Sequence, residues 1–355
     1  MTKKQAMASN TVMKKLSLFL LSVLPFWSNL AAAECLLTFN TYGPIYASNV
    51  QGRSLRIVAD IKKDNTCDLI HFQEAWNANQ INIFELGLKS QYQVYSPNRQ
   101  YRIGLMNFSK RLWNSAKVYT YRANFDGHLL DDLRKIVNAK KAFSVLEDAL
   151  PGTFSVNTHL HPSSDQVRIL QILDLLNWRV QHSSKPMILT GDFNSDPSSF
   201  EHTFAMKILN LDDAMLVVNG QYPKDFCSYC ANNHLGWLND DHTFDYVFFS
   251  HLGATENGWI PQDIHLALTG NGEPLSDHYG LKVNFSWGQG AGSQIDPEKS
   301  KQEMLELVDA ATSRIISFSP AQELGYITLI HRLRSDIQSG QGLYGEYFAQ
   351  IFQKH

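Results

Sequence analysis

Met187–Asn194 reads Met-Ile-Leu-Thr-Gly-Asp-Phe-Asn. Three apolar residues begin a strand, and a glycine then turns the chain so that Asp192 and Asn194 are presented at its end. A buried strand that finishes in a polar residue lifts that group to the rim of a sheet. The construction recurs at Leu36–Asn40 (LLTFN), Asp68–Glu74 (DLIHFQE) and Phe154–His161 (FSVNTHLH). Phe244–Phe249 (FDYVFF) and Ser276–His278 (SDH) add two further rims. Six polar rims in one chain point to a single carboxylate-and-histidine site.

Between the rims the chain alternates strand-like and helix-like segments. Strands are expected at Leu36–Phe39, Leu69–Phe72, Gly104–Asn107, Phe143–Leu146, Phe154–Asn157, Met187–Leu189, Tyr246–Phe249 and Leu281–Phe285. Helical spacing marks Ser54–Lys62, Asn79–Leu88, Ser164–Val180 and Pro197–Leu209. Ser164–Val180 is the strongest, with Val167, Leu170, Ile172, Leu173, Leu175 and Leu176 at helical spacing. This mixture suits mixed sheets flanked by helices. Gly288–Ser293 (GQGAGS) reads as a flexible break. Beyond it, Pro297–Ile316 and Pro320–Ile337 have helical periodicity, with a short helix over Leu343–Phe352. The expected organisation is a leader over 1–33, a catalytic domain over 34–287, a linker over 288–294 and a helical extension over 295–355.

The leader reading rests on Lys14 and Lys15 before the apolar run Leu16–Trp27, with Ala31-Ala32-Ala33 as a small-residue cleavage site. A membrane anchor is the alternative, but the run is short for a bilayer. Met13 offers a second start for the same signal. Glu34 before Cys35 disfavours a lipoprotein signal. The expected product is secreted or periplasmic. Removing 1–33 takes away four lysines and no acid, so the formal charge moves from −3 to −7, with 27 basic residues against 34 acidic. An acidic chain argues against general nucleic-acid binding, which depends on phosphate neutralisation. With 44% hydrophobic and 18% charged residues, the composition excludes a disordered chain.

An oxidising compartment makes disulfides plausible for the four cysteines. Cys227-Ser-Tyr-Cys230 reads as a local disulfide or two free thiols, because no second CxxC completes a zinc site. Cys35 and Cys67 each start an expected strand and would bridge if those strands are parallel neighbours.

The ordered set NTYGP, FQE, NTHLH, GDFN, FDYVFFS and SDH resembles the endonuclease/exonuclease/phosphatase superfamily over roughly 35–287. Deoxyribonuclease I, abasic-site endonucleases, inositol-phosphate 5-phosphatases and neutral sphingomyelinases share this fold. The resemblance implies an α/β (α+β) protein, a four-layer αββα sandwich of two mixed sheets. It implies Mg²⁺, with Mn²⁺ or Ca²⁺ as substitutes, held by Asn40, Glu74 and Asp277; oxygen donors of this kind suit a hard cation. It also implies that His159 and Asn194 contact the phosphate, that Asp192 orients or activates water, and that Asp245 and His278 form a general-base pair. His71, His161, Asp241 and His242 are expected to be bystanders, with His161 an exposed loop residue.

The opening Asn40-Thr41-Tyr42-Gly43-Pro44, followed by Arg53 and Arg56, is most similar to neutral sphingomyelinases and secreted phospholipase C enzymes. Arg53 is accordingly expected at the substrate. Gly104–Lys110 (GLMNFSK) resembles the family's GL…SK strand. Two departures stand out. Lys140-Lys141-Ala142 replaces a usual Lys-Gly pair, and no hairpin with paired exposed aromatics is legible between Phe249 and Ser276. Trp76, Trp113 and Trp237 are candidates for a lipid face but are read as core, as is Trp259. The first functional expectation is a phospholipid phosphodiesterase with peripheral membrane contact. The others are a secreted deoxyribonuclease-like enzyme using Arg99, Arg102, Lys110 and Arg111, a phosphoinositide phosphatase, and a catalytically dead adhesion or toxin subunit.

Overall fold

The protein is seen in a computed structural model that describes residues 33–44, 46–125, 140–270, 272–292 and 296–353. Most of the expected leader therefore lies outside the described residues. Among the described residues twelve strands run in chain order: β1 Ala33–Asn40, β2 Leu69–Gln73, β3 Gln93–Tyr95, β4 Met106–Ser109, β5 Ser115–Thr120, β6 Ala142–Glu147, β7 Phe154–His159, β8 Met187–Asp192, β9 Leu211–Asp213, β10 Asp245–Ser250, β11 Asn257–Ala267 and β12 Gly280–Gln289. They form two mixed six-stranded sheets, ordered β11-β12-β1-β2-β4-β3 and β5-β6-β7-β8-β10-β9.

The described helices are α1 Val50–Asp64, α2 Ala78–Leu88, α3 Asn98–Tyr101, α4 Asp165–Gln181, α5 Phe200–Ile208, α6 Ala214–Asn219, α7 Pro297–Ile315, α8 Ser319–Glu323, α9 Tyr326–Ser339 and α10 Gly342–Gln353. Ile57, Ile61, Ile81 and Phe84 of α1 and α2 share a core with Phe39 and Phe72 of the first sheet. Leu170, Leu173 and Phe204 of α4 and α5 share another with Val156, Leu189 and Phe248 of the second. Leu36, Leu69, Leu146, Ile188, Val247 and Val283 form the apolar layer between the sheets. The expected αββα sandwich is thus the observed one.

The inward face of each central strand changes character along its length. Side chains two apart share a face. Leu36, Thr38 and Asn40 follow one another on β1; Leu69, His71 and Gln73 on β2; Ile188, Thr190 and Asp192 on β8. All of these residues are buried. The inter-sheet layer is therefore oily at one end and polar at the other. At the polar end Gln73 Nε2 donates to Thr38 Oγ1 (3.0 Å) and Asn157 Oδ1 (2.8 Å), and Asn107 Nδ2 donates to Ser144 Oγ (2.9 Å). His71 Nδ1 lies 2.7 Å from Thr190 Oγ1, and burial pushes its pKa down to about 3, so it is a neutral strut between the sheets. A buried amide network of this kind fixes the two sheets in register where the site needs it.

Most expected helices appear within a few residues of their boundaries, with caps that explain the limits. Ser164 caps α4 through Val167 N, Asn77 caps α2 through Asn79 N, and Ser199 caps α5 through His202 N. The strands β3, β5, β9 and β11 were not expected. The tail holds four helices instead of two long and one short. Its Met304, Val308, Ile330, Leu333 and Phe348 join the α4–α5 core, and Tyr326 Oη donates to Asp174 Oδ2 (2.6 Å).

Cys35 and Cys67 lie at bonding distance, with Cα atoms 4.3 Å apart, because β1 and β2 are parallel neighbours. Cys227 and Cys230 pair likewise, with Cα atoms 5.3 Å apart. The first bridge closes a sequence separation of 32 residues. By loop-closure entropy such a bridge contributes about 3–4 kcal/mol. The double variant Cys35→Ser/Cys67→Ser should lose that much in urea unfolding, and an unchanged midpoint would contradict it.

Candidate active site

The polar rims converge. β7 and β8 are parallel and β8 and β10 antiparallel, so His159, Asp192 and Asp245 stand at directly paired positions. On the first sheet Asn40 pairs with Gln73, and Glu74 follows immediately. The segment before β12 brings Ser276, Asp277 and His278 between the sheets: Ser276 Oγ donates to Asn40 O (2.6 Å) and accepts from His278 N (3.2 Å).

The turn chemistry is specific. Gly191 has φ +141°, and a Cβ there would lie 1.9 Å from Thr158 O, so only glycine lets β8 approach β7 at this point. Glu74 and Asn194 adopt φ of 56° and 51°. Left-handed backbone at a glutamate is unfavourable and is retained where the surroundings impose it, commonly at functional sites.

Asp192 occupies the middle. Its Oδ2 accepts from Asn40 Nδ2 (2.9 Å) and lies 3.4 Å from His159 Nε2 and 3.7 Å from His278 Nε2. Its Oδ1 accepts from Asn194 N (2.9 Å). Burial raises its pKa to about 6, with His278 opposing and Asp245 reinforcing the shift. His278 Nδ1 is 2.7 Å from Asp245 Oδ2. Burial alone would push the His278 pKa down, but Asp245, Asp192 and Asp277 outweigh it and hold it well above its ordinary value. Asp245 fixes the ring so that Nε2 faces Asp192. Behind the pair, Ser228 Oγ accepts from Asp245 N (3.1 Å), and the Tyr229 ring meets the His278 ring edge-on at 5.1 Å.

Asn40, Glu74 and Asp277 supply oxygen donors for a cation. Asn40 Nδ2 is committed to Asp192, which fixes the amide flip and leaves Oδ1 as acceptor; Oδ1 takes Tyr42 N (3.1 Å) and retains a second lone pair. Asp277 is raised to about 7, first by burial and then by the Glu74 charge, with His278 pulling the other way. Two crowded carboxylates with an amide oxygen are the donor set a divalent cation neutralises, so these residues fit Mg²⁺.

Lys141 is a site residue that the sequence did not reveal. It directly precedes β6, which pairs antiparallel with β7, and its Nζ lies 2.5 Å from His159 Nε2. The unusual Lys-Lys-Ala triplet was the available signal, but it pointed only to loop shape.

Three expectations need correction. Arg53 does not reach out to a substrate: it is buried, with Nε donating to Ser48 O (3.0 Å), Nη1 to Thr41 O (3.1 Å) and Leu275 O (2.8 Å), and Nη2 to Tyr42 O (2.6 Å). It ties the loop after Asn40 to the segment before Asp277. Arg53→Lys should raise the metal concentration for half-maximal activity by about tenfold, while substrate KM at saturating metal stays near wild type. A change in KM alone would restore a substrate contact. His161 is buried, not exposed, and its Nδ1 accepts from Ser164 N (3.1 Å) at the start of α4. Trp237 is not core but 73% exposed; Trp259 is core, and Trp76 and Trp113 are half-buried. Asn194 is at the site with its amide folded back, Nδ2 donating to Leu160 O (3.1 Å). Asp241 and His242 are loop residues, and His242 Nδ1 pairs with Asp196 Oδ2 at 2.8 Å.

Residues 37–278 match the model of the Endonuclease/Exonuclease/phosphatase family. The chain belongs to that family. Its fold is generally hydrolytic, and its enzymes commonly depend on divalent metals. No curated protein matches the chain in sequence. Among solved structures, an endonuclease/exonuclease/phosphatase from Bacteroides vulgatus superposes with TM-score 0.56 at 17% identity, over 72% of this chain and 100% of that one. TDP2 from C. elegans gives 0.53 at 15%, over 72% and 75%. Sphingomyelinase C from Streptomyces griseocarneus gives 0.52 at 14%, over 71% and 99%. At these identities the likeness is one of fold.

Proposed function

We propose that this protein is a secreted, Mg²⁺-dependent phosphodiesterase that hydrolyses a phospholipid headgroup, with sphingomyelin to ceramide and phosphocholine as the leading reaction. One observation carries the hydrolytic reading: an Asp245-clamped His278 faces Asp192 beside the oxygen donors of Asn40, Glu74 and Asp277. A divalent cation held by those donors would supply positive charge against the negative charge that builds on the phosphate. His278 Nε2 takes the proton of the attacking water, and Asp245 steadies the imidazolium that results. His159 and Lys141 stand together where positive charge and N–H groups meet the phosphate oxygens as negative charge builds. Asp192 accepts a hydrogen bond from Asn40 and places its negative charge between the two histidines, 3.4 Å from His159 Nε2 and 3.7 Å from His278 Nε2.

Charge placement supports a lipid over DNA. Lys110 and Arg111, two of the cations a nuclease would use, follow the far end of β4. There they pair with Asp68 and Glu34 at the starts of β2 and β1, the end of the sheet opposite Asn40 and Glu74. Arg102 is exposed, and the Arg99 side chain lies outside the described residues. The two cysteine pairs suit an oxidising compartment, in keeping with export.

The test is a substrate panel of sphingomyelin, phosphatidylcholine, phosphoinositides and plasmid DNA with Mg²⁺, repeated with EDTA. Phosphocholine release from sphingomyelin vesicles that stops with EDTA is the expected result. Nicked plasmid with intact vesicles would replace this reading with the nuclease.

A further inference from the structure

The largest exposed aromatic in the described chain stands beside the site. Trp237 is 73% exposed and Tyr46 69%, and their rings meet edge-on with centroids 6.0 Å apart. Tyr46 also meets Tyr42 at 6.5 Å, and Leu238, 46% exposed, extends the apolar surface. This ledge is fastened to the active centre twice. Trp237 Nε1 donates to Tyr42 Oη (2.8 Å), and Tyr42 N in turn donates to Asn40 Oδ1. The Trp237 backbone N–H donates to Tyr229 Oη, whose ring packs against His278. Two large aromatics face water in edge-on contact, with the Trp237 indole N–H and backbone N–H both tied down, and so form a built surface and not a frayed loop.

From this ledge we infer a docking surface for the interface of a neutral or zwitterionic bilayer, which sets the site against a lipid headgroup. Tryptophan and tyrosine carry an apolar body and a polar tip and concentrate at membrane–water interfaces. The charge around them selects among occupants. Residues 41–52 (TYGPIYASNVQG) contain no ionisable side chain of either sign apart from the Tyr42 and Tyr46 phenols, and 226–243, beyond the adjacent Lys224–Asp225 pair, contain no lysine or arginine but hold Asp240 and Asp241. Nucleic acid and anionic lipid both demand local basic charge. Aromatics with exposed acids a few residues along the same loop instead suit choline headgroups, whose cations are attracted to ring faces and carboxylates.

This inference rests on the phospholipid reading and deepens it, so its experiment measures binding without turnover. In a His278→Ala background the protein should sediment with phosphatidylcholine–sphingomyelin vesicles. Binding should be insensitive to salt and should not increase when anionic lipid is added. Adding Tyr46→Ser and Trp237→Ser should lower partitioning by about tenfold or more. Brominated phosphatidylcholine should quench tryptophan emission, and Trp237→Phe should remove most of that quenching while sedimentation persists. Unchanged sedimentation of the double-serine protein would overturn the inference. So would binding that needs anionic lipid and vanishes at high salt, or ledge-dependent quenching by single-stranded DNA in place of vesicles. If the ledge binds vesicles but wild-type protein hydrolyses no lipid, the ledge stands and the substrate assignment falls.

Discussion

His278→Ala should lower turnover by about 10²–10⁴-fold, the usual contribution of a positioned general base, without loss of fold. The residue is buried among Asp245, Asp192 and Asp277, so far-ultraviolet circular dichroism and a thermal melt must accompany the rate. Asp245→Asn separates a base from a structural cation. The three carboxylates hold the His278 pKa above its ordinary value, and Asp245 is the largest of their contributions. A base with a raised pKa must lose its proton before it acts, so the acid limb of kcat/KM follows the His278 pKa. Removing the Asp245 charge lowers that pKa and moves the limb to lower pH, while kcat falls because the imidazolium loses its partner. Near-wild-type turnover in His278→Ala, or an acid limb that does not move in Asp245→Asn, would remove His278 from the role of base.

The fold and most of this site were legible because strand-end polar groups leave a pattern in the chain. Asn40, Glu74, His159, Asp192, Asp245, Asp277 and His278 each close or open an apolar run, and parallel or antiparallel pairing then brings them together. The inter-sheet network was not read and His71 was set aside as a bystander, although the alternation Leu69–His71–Gln73 places those side chains on one face; their partners Thr190 and Asn157 lie on the other sheet. What was hidden depends on partners distant in sequence. Lys141 looks like a surface lysine until β6 is laid antiparallel on β7 beside His159. Arg53 has helical spacing, and nothing local says that four carbonyls, one of them Leu275 O, will take its donors. β11 escaped because Pro261 interrupts it; the strand lies at a sheet edge and carries a register shift between Pro261 and Asp263, which is where proline is tolerated. Trp237 was read as core from its type, yet its exposure follows from loop geometry that no periodicity encodes.

Asp277→Asn should stabilise the metal-free protein at neutral pH and abolish its response to Mg²⁺. Burial and the neighbouring Glu74 charge raise the Asp277 pKa from 3.8 to about 7. Between those values the folded protein keeps a proton that the unfolded chain releases. The unfolding free energy therefore falls as pH rises from about 4 to about 7. Above that window the folded metal-free protein must hold an unfavourable charge. The cost is of the order of a few kcal/mol, since a tenfold change in proton affinity corresponds to about 1.4 kcal/mol. Asp192, raised to about 6, adds to the same slope. An asparagine carries no such charge. In EDTA the variant should melt above wild type at pH 8, and the gap should close towards pH 4. Mg²⁺ should raise the wild-type midpoint by mass action on the folded state and leave the variant's nearly unchanged. Parallel pH profiles for the two proteins in EDTA would show that Asp277 does not carry the strain. A variant that gains as much from Mg²⁺ as wild type would place the cation elsewhere. The two outcomes together decide whether the crowding of Asp277 and Glu74 is the device by which this fold holds its metal.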